Sequence, residues 1–253
     1  GLDTTPLLAT WTRNPDLDVP GYEAFSVQQD ALDRMFVGLA ATSADGSVSG
    51  VLAADGPQFN IQNSGSSYAR AGAFDAPPTT GSGAGTGQVS YAGDYAGILN
   101  VGVNGAGLLP VPPGTDPTLV PTKPVQVAGK AFLNANFADN TVNGSVYDRI
   151  VVDTGFGLES IILIKNGITT NGTFEGTVQR PNSSDSFGET VGAYGGVFGG
   201  VDAAGVAGAV KLTKVSDVTG TELTNVTERG IFVLNQCGLA GVPVAPGCTG
   251  TAP

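Results

Sequence analysis

The chain has 253 residues, of which 11 are Lys or Arg and 22 are Asp or Glu, so its formal net charge is −11, and it contains no histidine. A chain of this length can bury a core in one medium-sized domain or in two small ones. The lack of histidine excludes a Ser-His-Asp triad, a Cys-His dyad and any His-ligated zinc or haem site. The negative charge argues against a nucleic-acid-binding protein and against docking on anionic lipid.

Charged residues make up 13% of the chain, about half of the usual share. Small and neutral polar residues take their place, a profile that is typical of exported all-β proteins. No apolar run approaches the ~20 residues that a membrane helix needs. The sequence opens at Gly1 without Met and without a signal-peptide pattern. We therefore interpret Gly1 as a mature or trimmed terminus, and any lipid-anchoring cysteine would lie upstream of it.

Residues 1–34 predict an extended N-terminal strap with a short helix, because prolines punctuate the first half and residues 21–36 place apolar side chains roughly on one side. The strap either packs on the body of the protein or docks on another subunit, and both alternatives stay open. Its aromatic residues lie outside the regular β region, where an aromatic needs a partner surface to cover it. They are therefore candidate binding residues: Trp11, Tyr22 and Phe25.

Residues 35–75 predict a small β handle domain. Two strands, 35–42 and 47–54, flank an Asp-Gly hairpin turn at Asp45-Gly46, and two further candidate strands follow at 57–62 and 66–74. Residues 76–88 are rich in Gly, Ser, Thr and Pro and predict a flexible linker. Their glycines lack the preceding strand and following helix of a dinucleotide site.

From residue 89 onward, short strands come at near-even spacing with Gly- and Asn-rich turns between them. This pattern predicts an all-β fold, an eight-stranded antiparallel up-and-down barrel over residues 89–236, preceded by the handle. An even number of strands lets such a barrel close without a free edge. The eight predicted strands cover 89–101, 125–137, 141–152, 158–164, 172–180, 191–199, 205–213 and 228–235.

A short pattern occurs three times in the chain: a turn pair, Ser or Thr, then apolar, polar, Gly, polar and apolar residues. It begins at Asp45, Asp139 and Asn171. In a strand, the two apolar residues and the glycine share one face. An inward glycine marks a bend or leaves room for a neighbouring aromatic ring. Related modules or convergence of Gly-rich hairpins can both produce the pattern.

The two cysteines, Cys237 and Cys248, bracket a loop of Gly, Pro and Ala. A disulfide is favoured over a metal site, because the chain offers no further cysteine and no histidine. Closing this loop should stabilise the fold by roughly 2–3 kcal/mol, and it implies an oxidising compartment. We therefore expect residues 237–253 to form a disulfide-closed C-terminal tail.

Three segments of the predicted barrel carry a family resemblance: Gly129–Phe137, Asn171–Gly176 and Gly192–Gly208. Together they resemble the C-terminal-lobe barrel of the transferrin-binding-protein-B-like surface proteins of bacteria, a family that includes haemophores. The third segment departs from the family's aromatic-Gly-Pro hairpin. Val201 stands where Pro is usual, and Ala204 and Gly205 replace an acidic pair.

The resemblance implies an eight-stranded barrel behind a β handle. It also implies an exported protein at the outer-membrane surface, in the periplasm or outside the cell, often lipid-anchored, that binds host proteins, haem or other ligands through loops. None of these ligand identities transfers to this chain. Tyrosine can ligate haem iron, but the lack of histidine weakens a haemophore interpretation.

Carboxylates are the only plausible acid–base groups, and their spacing singles out no pair for glycoside hydrolysis. We therefore expect no enzyme, no cofactor and no metal site. A calcium site of carboxylates and carbonyls is a weaker alternative, since no known calcium-loop repeat is present. The carboxylates on or near the predicted barrel strands and turns are Asp148, Asp153, Glu159, Glu175, Glu189, Asp202 and Glu228.

The connection 102–124 is long for a compact domain, and loops of that length are usually functional or mobile. Its five prolines and its apolar side chains make a stiff apolar surface, which is the main candidate contact region. The connection 181–190 is the second candidate. The candidate residues in 102–124 are Leu108, Leu109, Val111, Leu119 and Val120.

Two functions remain at this point. The first is an exported, non-enzymatic binding protein of the bacterial surface or periplasm that recognises an unidentified protein or small ligand through loops at one barrel end. The second is a structural or accessory subunit of a larger surface or membrane assembly. The low charge, the aromatic strap and the Pro-rich apolar loop, which suit burial against neighbouring subunits, motivate the second.

Overall fold

A computed structural model describes residues 10–59, 61–79, 87–181, 188–242 and 244–249. Within them the chain is almost entirely β. The first five strands form one antiparallel sheet in which each strand pairs with the next along the chain. They are β1 (Thr12–Arg13), β2 (Glu23–Val27), β3 (Phe36–Thr42), β4 (Val48–Asp55) and β5 (Ser64–Arg70).

The remaining strands build a closed antiparallel barrel. Eight of them pair in chain order, and the pairing of β8 with β10 closes the cylinder, while β9 is a short side strand on β8. The predicted eight-stranded up-and-down barrel behind a β sheet is thus confirmed. The strands are β6 (Gln88–Val103), β7 (Lys123–Asn136), β8 (Thr141–Val151), β9 (Gly157–Leu158), β10 (Ile161–Gly167), β11 (Thr173–Gln179), β12 (Thr190–Gly199), β13 (Gly205–Leu212) and β14 (Glu228–Gln236).

Inward glycines make room for aromatic rings inside the barrel. A Cβ on Gly176 would lie 2.5 Å from the ring of Tyr194, and a Cβ on Gly230 would lie 1.8 Å from the Tyr95 hydroxyl. Both tyrosines are buried. The repeated turn pattern therefore behaves at its third occurrence as its spacing predicts, because an inward glycine lets a neighbouring ring cross the narrow interior.

The five-stranded sheet packs against the outside of the barrel. Its inner face, with Leu39 and Leu52, shares one buried cluster with outward-facing Ala96, Ile98 and Ile231 of the barrel. Outward apolar residues on β6 and β14 are therefore covered rather than exposed, and the sheet and the barrel bury a second core between them.

Two local expectations were wrong. A strand, β2, and a connection occupy residues 23–35, where the sequence predicts a short helix, and only short 3₁₀ turns occur among the described residues. Phe25 lies in β2 and pairs with Gly38 of β3, because alternation toward the barrel outweighs weak helical spacing. Residues 57–62, predicted as a strand, form the connection between β4 and β5.

No helix in the described ranges is long and apolar enough to cross a membrane. Parts of five predicted segments lie outside the described residues. They are 1–9 of the strap, 60 of the handle, 80–86 of the linker, 182–187 of the second candidate loop, and 243 and 250–253 of the C-terminal tail.

The two ends of the barrel differ in the length of their connections. At one end the strands are joined by short turns at 137–140, 168–172 and 200–204. At the other end the connections are long, and the sheet adds its connections 28–35 and 56–63 there, because Gly56 lies against Thr122. We call this the loop end; its barrel connections are 104–122, 152–160, 180–189 and 213–227.

The C-terminal tail lies along the barrel wall. Cys237 and Cys248 form a disulfide across a sequence separation of 11 residues. A Cβ on Gly247 would lie 3.0 Å from the Tyr147 hydroxyl and 3.1 Å from the Ala92 methyl group, so the closed loop rests on β6 and β8. The structure therefore contains the disulfide that the sequence favours.

Candidate functional site

The loop end carries most of the large apolar side chains that the described residues expose. Sixteen such side chains are exposed. Eight of them lie in the connections at this end, and Val101 and Ile150 lie near the ends of the strands that lead into these connections. Exposed apolar surface concentrated in one place marks an interaction site more often than scattered residues do. The ten are Leu32, Phe59, Ile61, Val101, Leu109, Leu119, Ile150, Val152, Phe156 and Val218.

The β4–β5 connection presents two of these side chains on a fixed base. The carboxylate of Asp55, fully buried, accepts hydrogen bonds from Arg34 Nη1 at 2.8 Å and from the backbone and side-chain nitrogens of Asn63 at 2.5 and 2.9 Å. Beyond that anchor, Phe59 is 62% exposed and has a φ of +54°. A left-handed backbone at a bulky residue costs about 1 kcal/mol or more, so the anchor holds Phe59 out in solvent at an energetic cost.

The same connection is tied to the long barrel connection 104–122. Gln58 Nε2 donates to the carbonyl of Leu119 at 3.1 Å, and the Thr122 hydroxyl donates to the carbonyl of Pro57 at 2.9 Å. On the other side, the backbone N–H of Leu109 donates to Gln28 Oε1 at 2.8 Å. Sheet and barrel connections therefore form one surface.

The residues proposed from connection 102–124 divide into two groups. Leu109 and Leu119 are exposed at the loop end, as a contact role requires. Leu108 instead packs against the core between sheet and barrel. Val111 and Val120 are half-buried. Their contact role stays a prediction.

The aromatic residues of the strap do not join the loop end. Trp11 is 42% exposed and lies over Gly38 on the outer face of the sheet, next to half-buried Phe25. Tyr22 is buried between sheet and barrel, where its hydroxyl donates to the carbonyls of Asp94 and Ile231. Burial raises the pKa of Tyr22 well above its usual value. Tyr22 therefore belongs to the core and not to a surface site, which corrects its place among the binding residues.

The loop end is acidic. The described residues of its six connections include eight Asp or Glu and three Lys or Arg, a difference of five negative charges in a chain whose net charge is −11. Arg180 and Lys214 pair with Glu189 and Glu222 and so link the connections 180–189 and 213–227. Partial burial raises the pKa of Glu159 above its usual value.

One of the candidate carboxylates lies inside the barrel and is not a surface group. No group of three or more His, Cys, Asp or Glu is placed to hold a metal ion within the described part of the chain. Glu228, which the sequence offers as a possible acid–base group, is this buried carboxylate. It accepts hydrogen bonds from the Tyr95 hydroxyl at 2.6 Å and from Arg149.

Sequence reasoning missed Phe59, Ile61, Phe156 and Val218. Phe59 and Ile61 sit in a segment whose alternation predicts a strand, and only the anchoring of Asp55 shows that it is a projecting connection. Gly155 next to Phe156, and Gly220 near Val218, both have positive φ. An apolar residue close to a turn glycine could have predicted an apolar side chain exposed at a turn.

No family model matches this chain, and no curated protein matches it. Among solved structures, intact Ap-TbpB (N and C lobes) is similar over 87% of this chain and 39% of that chain, with 12% identity and a TM-score of 0.47. A mutant Transferrin Binding Protein B from Haemophilus parasuis Hp5 is similar over 87% of this chain and 37% of its own, with 13% identity and a TM-score of 0.45.

The haemoglobin receptor HpuA from Kingella denitrificans is similar over 91% of this chain and 72% of its own, with 13% identity and a TM-score of 0.41. This chain thus spans less than half of the length of the two TbpB structures. Similarity at these levels carries no ligand or partner to this chain. The solved structures similar to this chain include members of the family that its sequence resembles, and the similarity is one of fold.

Proposed function

We propose that this protein is a non-enzymatic binding protein of the bacterial cell surface or periplasm, and that it recognises a protein partner through the loop end. The observation that carries the proposal is the coincidence of exposed apolar side chains and negative charge on that one surface. A closed barrel is a rigid scaffold, and binding residues commonly lie on loops that such a scaffold positions. The disulfide between Cys237 and Cys248 supports an oxidising, exported location.

The chemistry of the surface favours a partner with a basic face that contains apolar pockets. Apolar tips such as Phe59 and Val218 would supply buried contact area, and the surrounding carboxylates would speed encounter with a positively charged partner. Among the similar structures, HpuA is a haemoglobin receptor that was solved with human haemoglobin, and TbpB is a transferrin-binding protein. Haemoglobin and transferrin can serve as probe proteins, but the chemistry of the loop end, and not this similarity, is the basis for the proposed partner.

Site-specific photo-crosslinking tests the proposal in the source cells. A photoreactive phenylalanine analogue at Phe59, Leu119 or Val218 should give an adduct with a second protein. The same analogue at Val201 or Val244, which are equally exposed but lie outside the loop end, should give none. Adducts that form only from Val201 or Val244, or with equal yield from both sets, would show that the loop end is not the binding surface.

One observation favours the second function, a subunit of a larger assembly. The outer face of the sheet presents Trp11, half-buried Phe25 and a 51%-exposed Val51 around small residues. Native mass spectrometry of protein taken gently from its source separates the two functions. A stable complex that survives replacement of the loop-end residues but not Trp11→Ser and Val51→Ser would favour the assembly subunit.

A further inference from the structure

Two cations lie opposite each other on the outer wall of the barrel. Lys211 of β13 and Arg229 of β14 are directly paired in the strand register. Their side chains point away from the core, Lys211 exposed and Arg229 half-buried. Like charges at directly opposite positions of an antiparallel pair destabilise the sheet. A compensating anion would therefore stabilise this arrangement.

No compensating acid is present among the described neighbours. In the same cross-strand row, Lys211 faces Ala193 of β12 on its other side, and Arg229 faces Ile98 of β6. The outward positions two residues away along the four strands are also uncharged. They are Ala96, Asn100, Gly195, Ala209, Thr213, Thr227 and Ile231, whereas Val191 of β12 packs into the barrel core.

The pair is unusual for this chain. Of its 11 basic residues, seven form ion pairs. Arg70 donates instead to the backbone carbonyls of Asn171 and Phe198. Among the described residues, Lys211 and Arg229 make no ion pair and no side-chain hydrogen bond. The protein has a net charge of −11. The electrostatic potential at these two unpaired cations is therefore opposite in sign to that expected over most of its surface.

A groove opens over these two side chains. It has a volume of about 620 Å³ and lies at the junction of sheet and barrel. Ligand sites are frequent at such junctions. Neutral hydrogen-bonding side chains complete its lining: Gln62, Ser64, Asn100, Thr213, Asn225 and Thr227.

The lining is preorganised in part. Asn100 Nδ2 donates to the carbonyl of Asn225 at 2.9 Å, and Asn100 Oδ1 accepts from the backbone N–H of Thr227 at 2.8 Å, so these residues are fixed next to the cations. The Ser64 and Thr227 hydroxyls and the Asn225 amide form no side-chain hydrogen bond to another described residue. They remain free to bind a ligand. The acid in the lining, Glu228, is held inside the barrel by Arg149 and Tyr95.

We propose that this groove binds a phosphate or sulfate monoester of a small polar molecule. The oxyanion would lie between Lys211 and Arg229, whose guanidinium can donate two parallel hydrogen bonds to it. The hydroxyl and amide groups around it would bind the polar remainder of the ligand, for which the groove has room. The groove shares the connections 56–63 and 213–227 with the loop end, but it is lined by none of the exposed apolar side chains of the partner surface. Variants can therefore test the two sites separately, and either can fail without the other.

Thermal unfolding and calorimetric titration with inorganic phosphate, inorganic sulfate, glucose 6-phosphate and glucose test the site, all at one ionic strength set with sodium chloride. The three oxyanions should raise Tm and titrate, glucose 6-phosphate most strongly, and glucose should do neither. The double variant Lys211→Gln, Arg229→Gln should weaken binding by about tenfold or more, since it removes both charge-assisted contacts. Equal effects of phosphate and chloride would overturn the proposal.

Three further single variants separate binding from folding. Lys165→Gln removes one exposed positive charge on β10, away from the groove, and should leave binding unchanged. Lys211→Arg keeps the charge and should bind within about threefold of the wild type. In phosphate-free buffer Lys211→Gln should unfold at a higher temperature than the wild type, because it removes the repulsion from Arg229. If the double variant keeps full phosphate affinity, the site does not lie here.

Discussion

Replacing Glu228 by Gln should destabilise the barrel strongly, because it leaves the positive charge of Arg149 buried without a partner. The Arg149 side chain is 1% exposed and that of Glu228 is fully buried, and the two are hydrogen-bonded. Arg149 also donates to the carbonyl of Glu159 at 2.5 Å, and Tyr95 donates to the other oxygen of Glu228. Glutamine keeps the size of the side chain and removes only its charge.

Breaking a buried ion pair by removing one partner costs about 3–5 kcal/mol. In a domain of this size each kcal/mol lowers Tm by about 2–4 °C, so Glu228→Gln should lower it by about 6–20 °C. The double variant Arg149→Met, Glu228→Leu removes both charges. It should be more stable than the single variant, since no uncompensated charge remains.

Thermal and denaturant unfolding, followed by circular dichroism, measure the effect. Glu189→Gln is the matched control, because Glu189 pairs with Lys214 and Arg180 at the exposed loop end, where ion pairs contribute little. The buried ion pair does not stabilise the barrel if Glu228→Gln unfolds within about 1 °C of the Glu189→Gln control. The same follows if the double variant is less stable than Glu228→Gln.

Three further perturbations probe the packing. Gly230→Ala places a methyl group where the Tyr95 hydroxyl lies and should cost about 1–3 kcal/mol in denaturant unfolding; an unchanged midpoint would refute the close approach. Asp55→Asn should loosen the connection 56–63 and speed its hydrogen exchange before that of the barrel, because it weakens three hydrogen bonds. Burial raises the pKa of Tyr194 to about 12 and raises those of other core tyrosines. The neutral tyrosines therefore stabilise the fold fully below the unfolded pKa of about 10. The free energy of unfolding should fall as pH rises from 10 toward 12, by up to about 1.4 kcal/mol per pH unit for each tyrosine. If tyrosinate absorbance rises fully at pH 10 while the fold persists, the pKa values of these core tyrosines are not raised: Tyr22, Tyr91, Tyr95 and Tyr194.

The packing of sheet on barrel has a direct consequence for function. It brings the connections 28–35 and 56–63 to the same end as the long barrel connections. The proposed partner surface and the proposed oxyanion groove both depend on the junction of sheet and barrel. The partner surface uses the exposed tips of the connections there, and the groove lies below those tips. A barrel alone would present neither in this form.

Local pattern was sufficient for the strands of the barrel. Alternation with period two and turn residues of the Asn-Gly and Asp-Asn kind are properties of neighbouring residues, so they survive in the sequence. The same holds for the disulfide, where only two cysteines were available. Local pattern failed to predict the structure at Phe59 and Ile61. The alternation of a strand is present there, but the chain turns away from the sheet at Asp55.

The orientation of individual side chains was harder to predict. Asp148 has a φ of +51°, and the register of β7 and β8 shifts there. This bulge reverses the alternation of β8, so Arg149 points into the barrel instead of into solvent. Nothing in the residues around Asp148 reveals such a reversal.

The sequence by itself determined the all-β class, the number and order of the barrel strands, the acidic charge and the disulfide, because each follows from composition or from short-range periodicity. Only the tertiary structure decided which face of the barrel the sheet covers, that Tyr22 and Glu228 are buried, and that Lys211 and Arg229 lie side by side with no ion pair to a described residue. These features depend on contacts between residues far apart in the chain, and such contacts are set by the packing of whole sheets rather than by any local pattern.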